Sequence, residues 1–178
     1  MLRIRKNILI TSRPGMGKTT TIRRIVDELG VEKAEGFWSS EIREGSRRVG
    51  FEITTLSGHR GVLAHVDITG RPRVGRYGVN VEDIERVAIP ALARARESNR
   101  IIVIDEIASM ELCSRLFAPE VRRCLDTRRV LATIQQRSGG FLEEIRARED
   151  CILLELTLSN RDRLPPKLLT MMRDNQLT

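Results

Sequence analysis

The sequence is poor in aromatic residues, cysteine and histidine, and each shortage narrows the range of functions. Only 3% of the 178 residues are aromatic, so the stacking side chains that bind single-stranded nucleic acids are scarce. The three cysteines form no C-x-x-C pair, and the two histidines are not accompanied by further metal ligands. Both observations argue against a zinc site. We expect the three thiols to be buried and unreactive.

Long apolar runs, internal repeats and low-complexity segments are missing as well. No apolar stretch is long enough to cross a membrane. The first six residues carry three basic side chains, but an apolar strand and a glycine-rich loop follow them, not the hydrophobic segment of a signal peptide. The composition predicts a cytoplasmic protein without a membrane partner, and the length predicts one domain spanning residues 1–178.

Basic residues outnumber acidic ones, and most of them are arginine. The formal net charge is +7, and 27 of the 31 basic residues are arginines. A basic surface suits polyanions, nucleotides included. However, the arginines are spread along the chain and often stand beside glutamate or aspartate. Nucleic-acid binding therefore stays open as a role but is not favoured.

One glycine-rich stretch has the pattern of a phosphate-binding loop. The sequence SRPGMGKT at 12–19 nearly matches G-x-x-x-x-G-K-[ST], with serine in place of the first glycine. An apolar run at 7–11 precedes it as a predicted strand, and a helix is predicted after it at 19–29, ending at Gly30. The predicted nucleotide-binding residues here are Ser12, Arg13, Pro14, Gly15, Met16, Gly17, Lys18 and Thr19.

The residue types of this loop match what phosphate binding requires. Gly15 and Gly17 let backbone N–H groups approach phosphate oxygens without an intervening Cβ. The N-terminus of the following helix adds unpaired donors and a positive dipole end. Lys18 is predicted to reach the β- and γ-phosphates, and the Thr19 hydroxyl to hold Mg²⁺. The alternative is a chance Gly/Lys turn before a helix.

Strand and helix patterns alternate along most of the chain, which predicts an α/β fold with a mostly parallel central sheet flanked by helices. Further apolar runs predict strands at 101–104, 129–135 and 151–158. Helical periodicity predicts helices at 80–95, 109–125, 141–148 and 164–173. We expect Pro90 to loosen the first of these and Pro119 to split the second.

The segment at 34–77 has a different pattern, with short alternating stretches separated by turn residues. It predicts a β-rich insertion within the single domain, containing an antiparallel hairpin formed by 34–43 and 48–56 and a further strand at 62–66. The glycine-rich, basic stretch at 70–78 is predicted to be a loop.

Two acidic residues, Asp105 and Glu106, follow the apolar run at 101–104. An acidic group at the end of a buried strand is costly unless a cation or hydrogen-bond donors meet it. This favours Asp105 as a partner of Thr19 in binding Mg²⁺. Glu106 is placed to align or deprotonate an attacking water, a step that a kinase does not need. The alternative is a polar strand end that caps the next helix.

Polar residues at other strand ends are weaker candidates for the same site. Gln135 follows the strand at 129–135, where it either contacts the γ-phosphate or is simply exposed to solvent. Asn160 and Arg161 follow the last strand, where they either contact the base or ribose or cap the final helix. A transition-state arginine is also expected. The candidates are Arg13, Arg43, Arg47, Arg60, Arg73, Arg76 and Arg115.

Taken together, these residues resemble the small nucleoside-triphosphatases, sometimes called cancer-related NTPases, of thermophiles and animals. The matching stretches cover nearly the whole chain in order. They are 14–20, 36–37, 47–51, 55–58, 74–77, 104–107, 110–112, 143–146 and 160–161. The chain departs from the family pattern at Ser12 and Ala108, where the pattern has glycine.

The resemblance implies a RecA-like P-loop fold and Mg²⁺-dependent hydrolysis of ATP, GTP and other nucleoside triphosphates to the diphosphate and phosphate. It also implies nucleotide binding by two segments, the loop at 12–19 and the stretch at 101–108. The residues of the second segment are Ile101, Ile102, Val103, Ile104, Asp105, Glu106, Ile107 and Ala108.

Three other functions fit parts of the pattern. A nucleotide or polynucleotide kinase uses the same phosphate loop, and the basic stretch at 71–76 could bind its second substrate. An NTP-gated nucleic-acid-binding module would use the basic surface. A protein that binds nucleotide without turnover would need only the loop. Glu106 favours hydrolysis over the kinase.

Overall fold

The computed structural model describes residues 6–70, 72–137 and 139–174. Within these ranges, nine strands form one sheet. The strands are β1 (Asn7–Thr11), β2 (Ala34–Glu44), β3 (Arg47–Thr55), β4 (Arg60–His65), β5 (Arg73–Val74), β6 (Tyr77–Val79), β7 (Ile101–Ile107), β8 (Val130–Ile134) and β9 (Cys151–Glu155). Their order across the sheet is β5-β6-β4-β3-β2-β7-β8-β1-β9.

The helices flank this sheet. They are α1 (Lys18–Leu29), α2 (Val81–Asp83), α3 (Ile89–Glu97), α4 (Phe117–Asp126), α5 (Phe141–Arg146) and α6 (Leu164–Asp174). Short 3₁₀ turns lie at Val31–Lys33 and Glu111–Cys113. None of the helices in the described ranges is long and apolar enough to span a membrane.

The sheet has a parallel half and an antiparallel half. The strands β2, β7, β8, β1 and β9 run parallel, as the alternation of strands and helices predicts. The strands β3 to β6 extend the sheet beyond β2 by antiparallel pairing. The strand β2 belongs to both halves, so the β-rich segment at 34–77 continues the central sheet from its edge. The α/β prediction is confirmed.

The central strands are buried on both faces because helices cover each side. Along β1, Ile8 and Ile10 pack with α1 and α6, whereas Leu9 packs with the cluster that contains α3, α4 and α5. Such strands need apolar residues at every position. The phosphate loop follows β1, and the acidic pair lies near the end of β7, with β8 between these two strands. Both therefore lie at the carboxyl ends of the parallel strands, where their side chains can meet.

The stretch at 70–78 is not the loop that its composition predicts. It contains the hairpin of β5 and β6, in which Val74 pairs with Tyr77 and Gly75 makes the turn at a φ of 57°. The Tyr77 ring is buried against Phe51, with the ring centroids 5.2 Å apart. Such short strands depend on this tertiary contact, which the local composition does not reveal.

The two prolines within predicted helices have different effects. Pro90 is preceded by a π-helical turn at Ile84–Ala88, so the predicted loosening is confirmed. Pro119 lies in the first turn of α4 and does not split it. That prediction was wrong, because proline is tolerated where the missing N–H has no helical partner. The chain breaks before α4 instead, at 114–116.

Candidate active site

The loop at 12–17 joins β1 to α1 and is shaped for an anion. Gly15 and Gly17 have φ angles of 77° and 94°, which residues with a Cβ rarely adopt. Gly17 is the N-cap residue of α1, and no side chain in the described part of the protein caps that helix. The first backbone N–H groups of α1 therefore point without a side-chain acceptor toward the space in front of the loop. This is the arrangement that binds phosphate.

A cavity of about 750 Å³ opens in front of this loop. It runs from the loop past the end of β7 to the antiparallel strands, where Ser39, Phe51 and Val74 form its far wall. Ten of the predicted site residues line it: Ser12, Pro14, Gly15, Met16, Gly17, Lys18, Thr19, Glu106, Ala108 and Gln135.

Other predicted residues of the two segments lie outside the cavity wall. The side chains of Ile101, Ile102, Val103, Ile104 and Ile107 are buried in the sheet and pack against the helices. Arg13 is exposed and does not line the cavity. In the segment at 101–108, the residues facing the cavity are Glu106 and Ala108, because alternate strand residues point into the core.

Lys18 and Glu106 form an ion pair on the wall of the cavity, with Nζ 3.2 Å from Oε1. The two side chains are 15% and 27% exposed, so the pair is partly shielded from water. Burial raises the pKa of Glu106. The positive charge of Lys18 lowers this pKa, whereas the negative charge of the neighbouring Asp105 raises it further. Glu106 is therefore a carboxylate whose basicity depends on the position of Lys18.

Asp105 lies beneath the cavity and is 1% exposed. Its Oδ1 accepts a hydrogen bond of 2.5 Å from the Thr133 hydroxyl, and its Oδ2 has no hydrogen-bond partner within the described residues. Burial raises the pKa of Asp105, while Thr133, Thr19 and Lys18 act in the opposite direction. The pairing of β7 with its two neighbours differs at Asp105. On one side Asp105 pairs regularly with Trp38 of β2, whereas on the other side the pairing with β8 is irregular between Ile104 and Ile107.

The residues around Asp105 fit a magnesium ion better than a transition metal. No group of three or more His, Cys, Asp or Glu side chains that could hold a metal occurs in the described ranges. The free Oδ2 of Asp105 and the hydroxyl of Thr19 are hard oxygen donors, which Mg²⁺ prefers. Mg²⁺ commonly takes only one or two protein ligands and completes its shell with water and phosphate oxygens.

Gln135 follows β8 and lines the cavity. The strand β8 lies between β1 and β7, which is the position that a contact of Gln135 with the γ-phosphate requires. The Oε1 of Gln135 accepts hydrogen bonds from the backbone and the hydroxyl of Ser109, at 3.1 and 2.8 Å. Its amide nitrogen has no hydrogen-bond partner in the described part of the chain, so it can donate toward a ligand. The γ-phosphate contact stays a prediction.

Asn160 and Arg161 lie away from this cavity. The Asn160 side chain accepts from the backbone N–H of Thr157 and donates to the carbonyl of Glu155, both at 2.8 Å. It thereby closes the loop after β9 and does not cap α6 with its side chain. Arg161 is exposed, 4.0 Å from Asp162. The structure thus gives Asn160 a local role that its sequence position did not suggest.

Comparison with known proteins agrees with this geometry. The sequence model of the NTPase family matches residues 7–169. The chain belongs to this NTPase family. It is 42% identical over 170 residues to the nucleoside-triphosphatase THEP1 of Thermotoga maritima, covering 95% of this chain and 97% of that protein. It is 38% identical over 188 residues to the cancer-related nucleoside-triphosphatase of Homo sapiens, covering 96% and 98%.

The fold agrees with that of a solved member of the NTPase family. The crystal structure of THEP1 from Aquifex aeolicus superposes with a TM-score of 0.85 at 38% sequence identity, covering 93% of this chain and 98% of that one. The predicted resemblance and the P-loop fold class are therefore confirmed.

Two arginines and a glutamate that line this cavity were not predicted from the sequence. Arg23, on α1, lines the cavity together with Arg137, whereas none of the seven arginines named from the sequence does so. Glu111, in the 3₁₀ turn after β7, lines the cavity wall and is 2% exposed, and its Oε2 has no hydrogen-bond partner among the described residues. Two features of the sequence could have identified two of these residues. Arg23 is four residues after Thr19 in the predicted helix, and Glu111 is an acidic residue between the apolar residues Met110 and Leu112.

The cysteines contribute nothing to the site. Cys124 is buried as expected, whereas Cys113 and Cys151 are only partly buried, so that expectation was wrong for two of the three. Burial nevertheless raises the pKa of each thiol, to about 12 for Cys124 and about 11 for Cys151. All three therefore stay protonated near neutral pH, which keeps them weak nucleophiles.

Proposed function

We propose that this protein is a Mg²⁺-dependent nucleoside triphosphatase, which releases the γ-phosphate of ATP, GTP and related nucleotides as inorganic phosphate. The observation that carries the proposal is the Lys18–Glu106 pair at 3.2 Å on the wall of the cavity in front of the phosphate loop. A kinase has no need for a carboxylate at this position. The relatives in Thermotoga maritima and Homo sapiens are named as nucleoside-triphosphatases, which supports the same proposal.

The ion pair couples nucleotide binding to activation of water. The backbone N–H groups of the loop and the Nζ of Lys18 bind the phosphates. When Lys18 turns to a phosphate, Glu106 loses the charge that opposes the burial-induced rise of its pKa. Glu106 then becomes a stronger base at the moment when substrate is present.

The chemical step is the transfer of a phosphoryl group to water. The Glu106 carboxylate accepts a proton from a water molecule as the water oxygen bonds to the γ-phosphorus. The bond between the γ-phosphorus and the bridging oxygen breaks, and its electron pair stays on the nucleoside diphosphate. Glu106 later returns the proton to solvent. Gln135, from the neighbouring strand, is placed to donate a hydrogen bond to the γ-phosphate or the water.

Thr19 and Asp105 would hold the magnesium ion. When bound, Mg²⁺ neutralises charge on the β- and γ-phosphates. The free Oδ2 of Asp105 fits this assignment, because a buried carboxylate oxygen without a partner is costly. The Thr133 hydroxyl fixes the orientation of the carboxyl through its bond to Oδ1.

The proposal is tested by phosphate release without any phosphoryl acceptor. Purified protein with Mg²⁺ and either ATP or GTP should release inorganic phosphate and nucleoside diphosphate in equal amounts. Adding a mononucleotide or a 5′-hydroxyl RNA should leave the rate unchanged and yield no phosphorylated acceptor. Strict dependence on such an acceptor would replace the proposal with a kinase. The Lys18→Ala variant should lose both nucleotide binding and phosphate release, which controls for contaminating phosphatases.

A further inference from the structure

Arg23 brings an unpaired positive charge into the cavity. Its guanidinium forms no hydrogen bond or ion pair with the described residues, and its Nε is buried without a partner. The next residue along α1, Arg24, is by contrast exposed and paired with Glu28 at 2.9 Å. Arg23 as a whole is only partly buried, so its terminal nitrogens can still bind a ligand in the cavity. Because a buried N–H without an acceptor is costly, the buried Nε favours an anion that the described residues do not supply.

The ring of Trp38 holds this guanidinium in place. The Cζ of Arg23 lies 4.9 Å from the centre of the Trp38 ring, within the range of a cation–π contact. Trp38 is the residue of β2 that pairs with Asp105 of β7. The guanidinium therefore lies near the carboxyl end of β7, where Asp105 and Glu106 are found.

Helix geometry directs Arg23 toward the phosphates. Thr19 and Arg23 are four residues apart on α1 and so share a face of the helix. Long side chains on a helix lean toward its N-terminus, and the N-terminus of α1 is the phosphate loop. Arg23 and Glu106 line the same cavity in front of the loop, and the γ-phosphate must lie in this cavity if Glu106 is to activate the attacking water.

We propose that Arg23 binds the γ-phosphate and stabilises the negative charge that the transition state spreads over its oxygens, with Trp38 positioning the guanidinium before the nucleotide arrives. This rests on the proposed function. It deepens that proposal by naming the group that distinguishes a triphosphate from a diphosphate: a bound diphosphate has no phosphate near Arg23. The planar guanidinium suits the oxygens of a phosphate better than a lysine ammonium does.

The binding test uses Trp38, which is the only tryptophan in the sequence. Its fluorescence is titrated with a non-hydrolysable nucleoside triphosphate and with a nucleoside diphosphate, at one Mg²⁺ concentration. Only the triphosphate should shift the emission strongly, since it draws Arg23 away from the ring. In Arg23→Met the ratio of diphosphate Kd to triphosphate Kd should fall about tenfold or more, as expected for losing a hydrogen bond to a charged group.

Arg24→Met is the matched control, because it removes the neighbouring arginine from the solvent-exposed face and should leave the ratio unchanged. Arg23→Lys should give an intermediate ratio, since lysine keeps the positive charge but lacks the pair of parallel N–H donors of the guanidinium. If Arg23→Met does not fold, Arg23→Lys decides the matter through the same ratio. The proposal would be overturned if the ratio of diphosphate Kd to triphosphate Kd were unchanged in Arg23→Met. It would also be overturned if this ratio fell in Arg137→Met but not in Arg23→Met.

The kinetic test follows phosphate release. Arg23→Met should lower kcat by about 10²-fold or more, because an arginine at the transferred phosphate is worth at least this much in related chemistry. The KM for the triphosphate should change less than kcat. The ratio of Kd values can be measured without turnover, so the two proposals can fail separately. If the wild-type protein bound nucleotide but released no phosphate, the proposed hydrolysis would be refuted. Binding of the γ-phosphate by Arg23 would then be decided by the fluorescence titration alone.

Discussion

At the scale of single residues, the site is built from charges that are only partly satisfied. Lys18 and Glu106 neutralise each other, whereas one atom each of Asp105, Arg23 and Glu111 is buried without a partner in the described structure. Native proteins keep few such groups, and those they keep are concentrated at functional sites. The arrangement is suited to a charged ligand that brings both phosphate oxygens and a cation.

Replacing Glu106 by glutamine should separate catalysis from binding. Glutamine keeps the size of the side chain but cannot accept the proton of water, so Glu106→Gln should lower kcat by about 10²–10⁴-fold. Nucleotide affinity should stay the same or increase slightly, because Lys18 no longer has to leave a carboxylate. Steady-state kinetics and equilibrium binding measure the two effects.

The control for this change is Glu44→Gln, which alters an exposed glutamate at the end of β2. It should behave as wild type in both assays. Near wild-type turnover of Glu106→Gln would mean that Glu106 is not the base, and Gln135 would become the next candidate for aligning the water.

Glu111 should make stability fall as the pH rises. Burial, reinforced by the negative charges of Glu106 and Asp105, raises the pKa of Glu111 to about 8. Between about pH 4.5 and 8 the folded state holds a proton that the unfolded state has released, so the free energy of unfolding decreases across this window. Glu111→Gln removes the ionisation and should add roughly 2–4 kcal/mol of stability at pH 8, but little at pH 5.

Denaturant unfolding of both proteins at pH 5 and pH 8 measures this difference. The comparison with wild type cancels the titration of other groups, provided that Glu44→Gln shows no such pH-dependent gain. An equal effect of Glu111→Gln at both pH values would show that the Glu111 carboxyl is not held neutral by its surroundings.

At the scale of elements, the sheet depends on close contact between β2 and β7. Gly36 of β2 has a φ of 130°, and a Cβ at this position would lie 2.0 Å from the carbonyl oxygen of Val103. The parallel register of these strands places Trp38 beside Asp105. Gly36 therefore serves both the fold and the position of the site.

Gly36→Ala should destabilise the protein strongly and disturb the site. The added methyl group meets backbone rather than a movable side chain, so β2 must shift from β7, at a cost of about 2 kcal/mol or more. Gly58→Ala is the matched control, since Gly58 also has a positive φ, 91°, but has open space around the Cβ position. A smaller loss, about 1 kcal/mol, is expected there. Equal losses in thermal or denaturant unfolding would contradict the role of the contact.

The elements also show how far the sequence predicts the structure. The buried parallel strands and the loop before α1 could be predicted, because their apolar runs and glycines reflect local geometry. The hairpin of β5 and β6 could not, since it depends on the contact between Tyr77 and Phe51. Arg23 was missed for a similar reason: its role depends on Trp38, which the sheet brings close from a distant part of the chain.

At the scale of the whole molecule, many of the arginines are used in ion pairs with acidic side chains. Glu120 of α4 is 5% exposed in its side chain and pairs with both Arg96 and Arg123 at 3.0 Å. Arg122 and Glu144 form a similar contact at the surface, where both are more than 40% exposed. Arginines that are engaged in this way have a carboxylate partner within the protein, and nucleic-acid binding stays an untested alternative.

Removing the buried partner should cost much more than removing the exposed one. Glu120→Ala leaves two arginines without their shared carboxylate and should lower the free energy of unfolding by about 2 kcal/mol. Glu144→Ala should have a much smaller effect that disappears at high salt. Urea unfolding at low and high salt measures both, and equal losses in the two variants would contradict the assignment of Glu120 as the structural centre of the network.

The most direct measurement of the central claim is hydrolysis in water enriched in ¹⁸O. The protein is incubated with Mg²⁺ and ATP under conditions of a single turnover, and the products are analysed by mass spectrometry. If Glu106 activates water toward the γ-phosphate, the inorganic phosphate gains one ¹⁸O atom, the ADP gains none, and Glu106→Gln slows this incorporation. Recovery of ¹⁸O in the ADP, or no incorporation at all by the wild-type protein, would contradict the account.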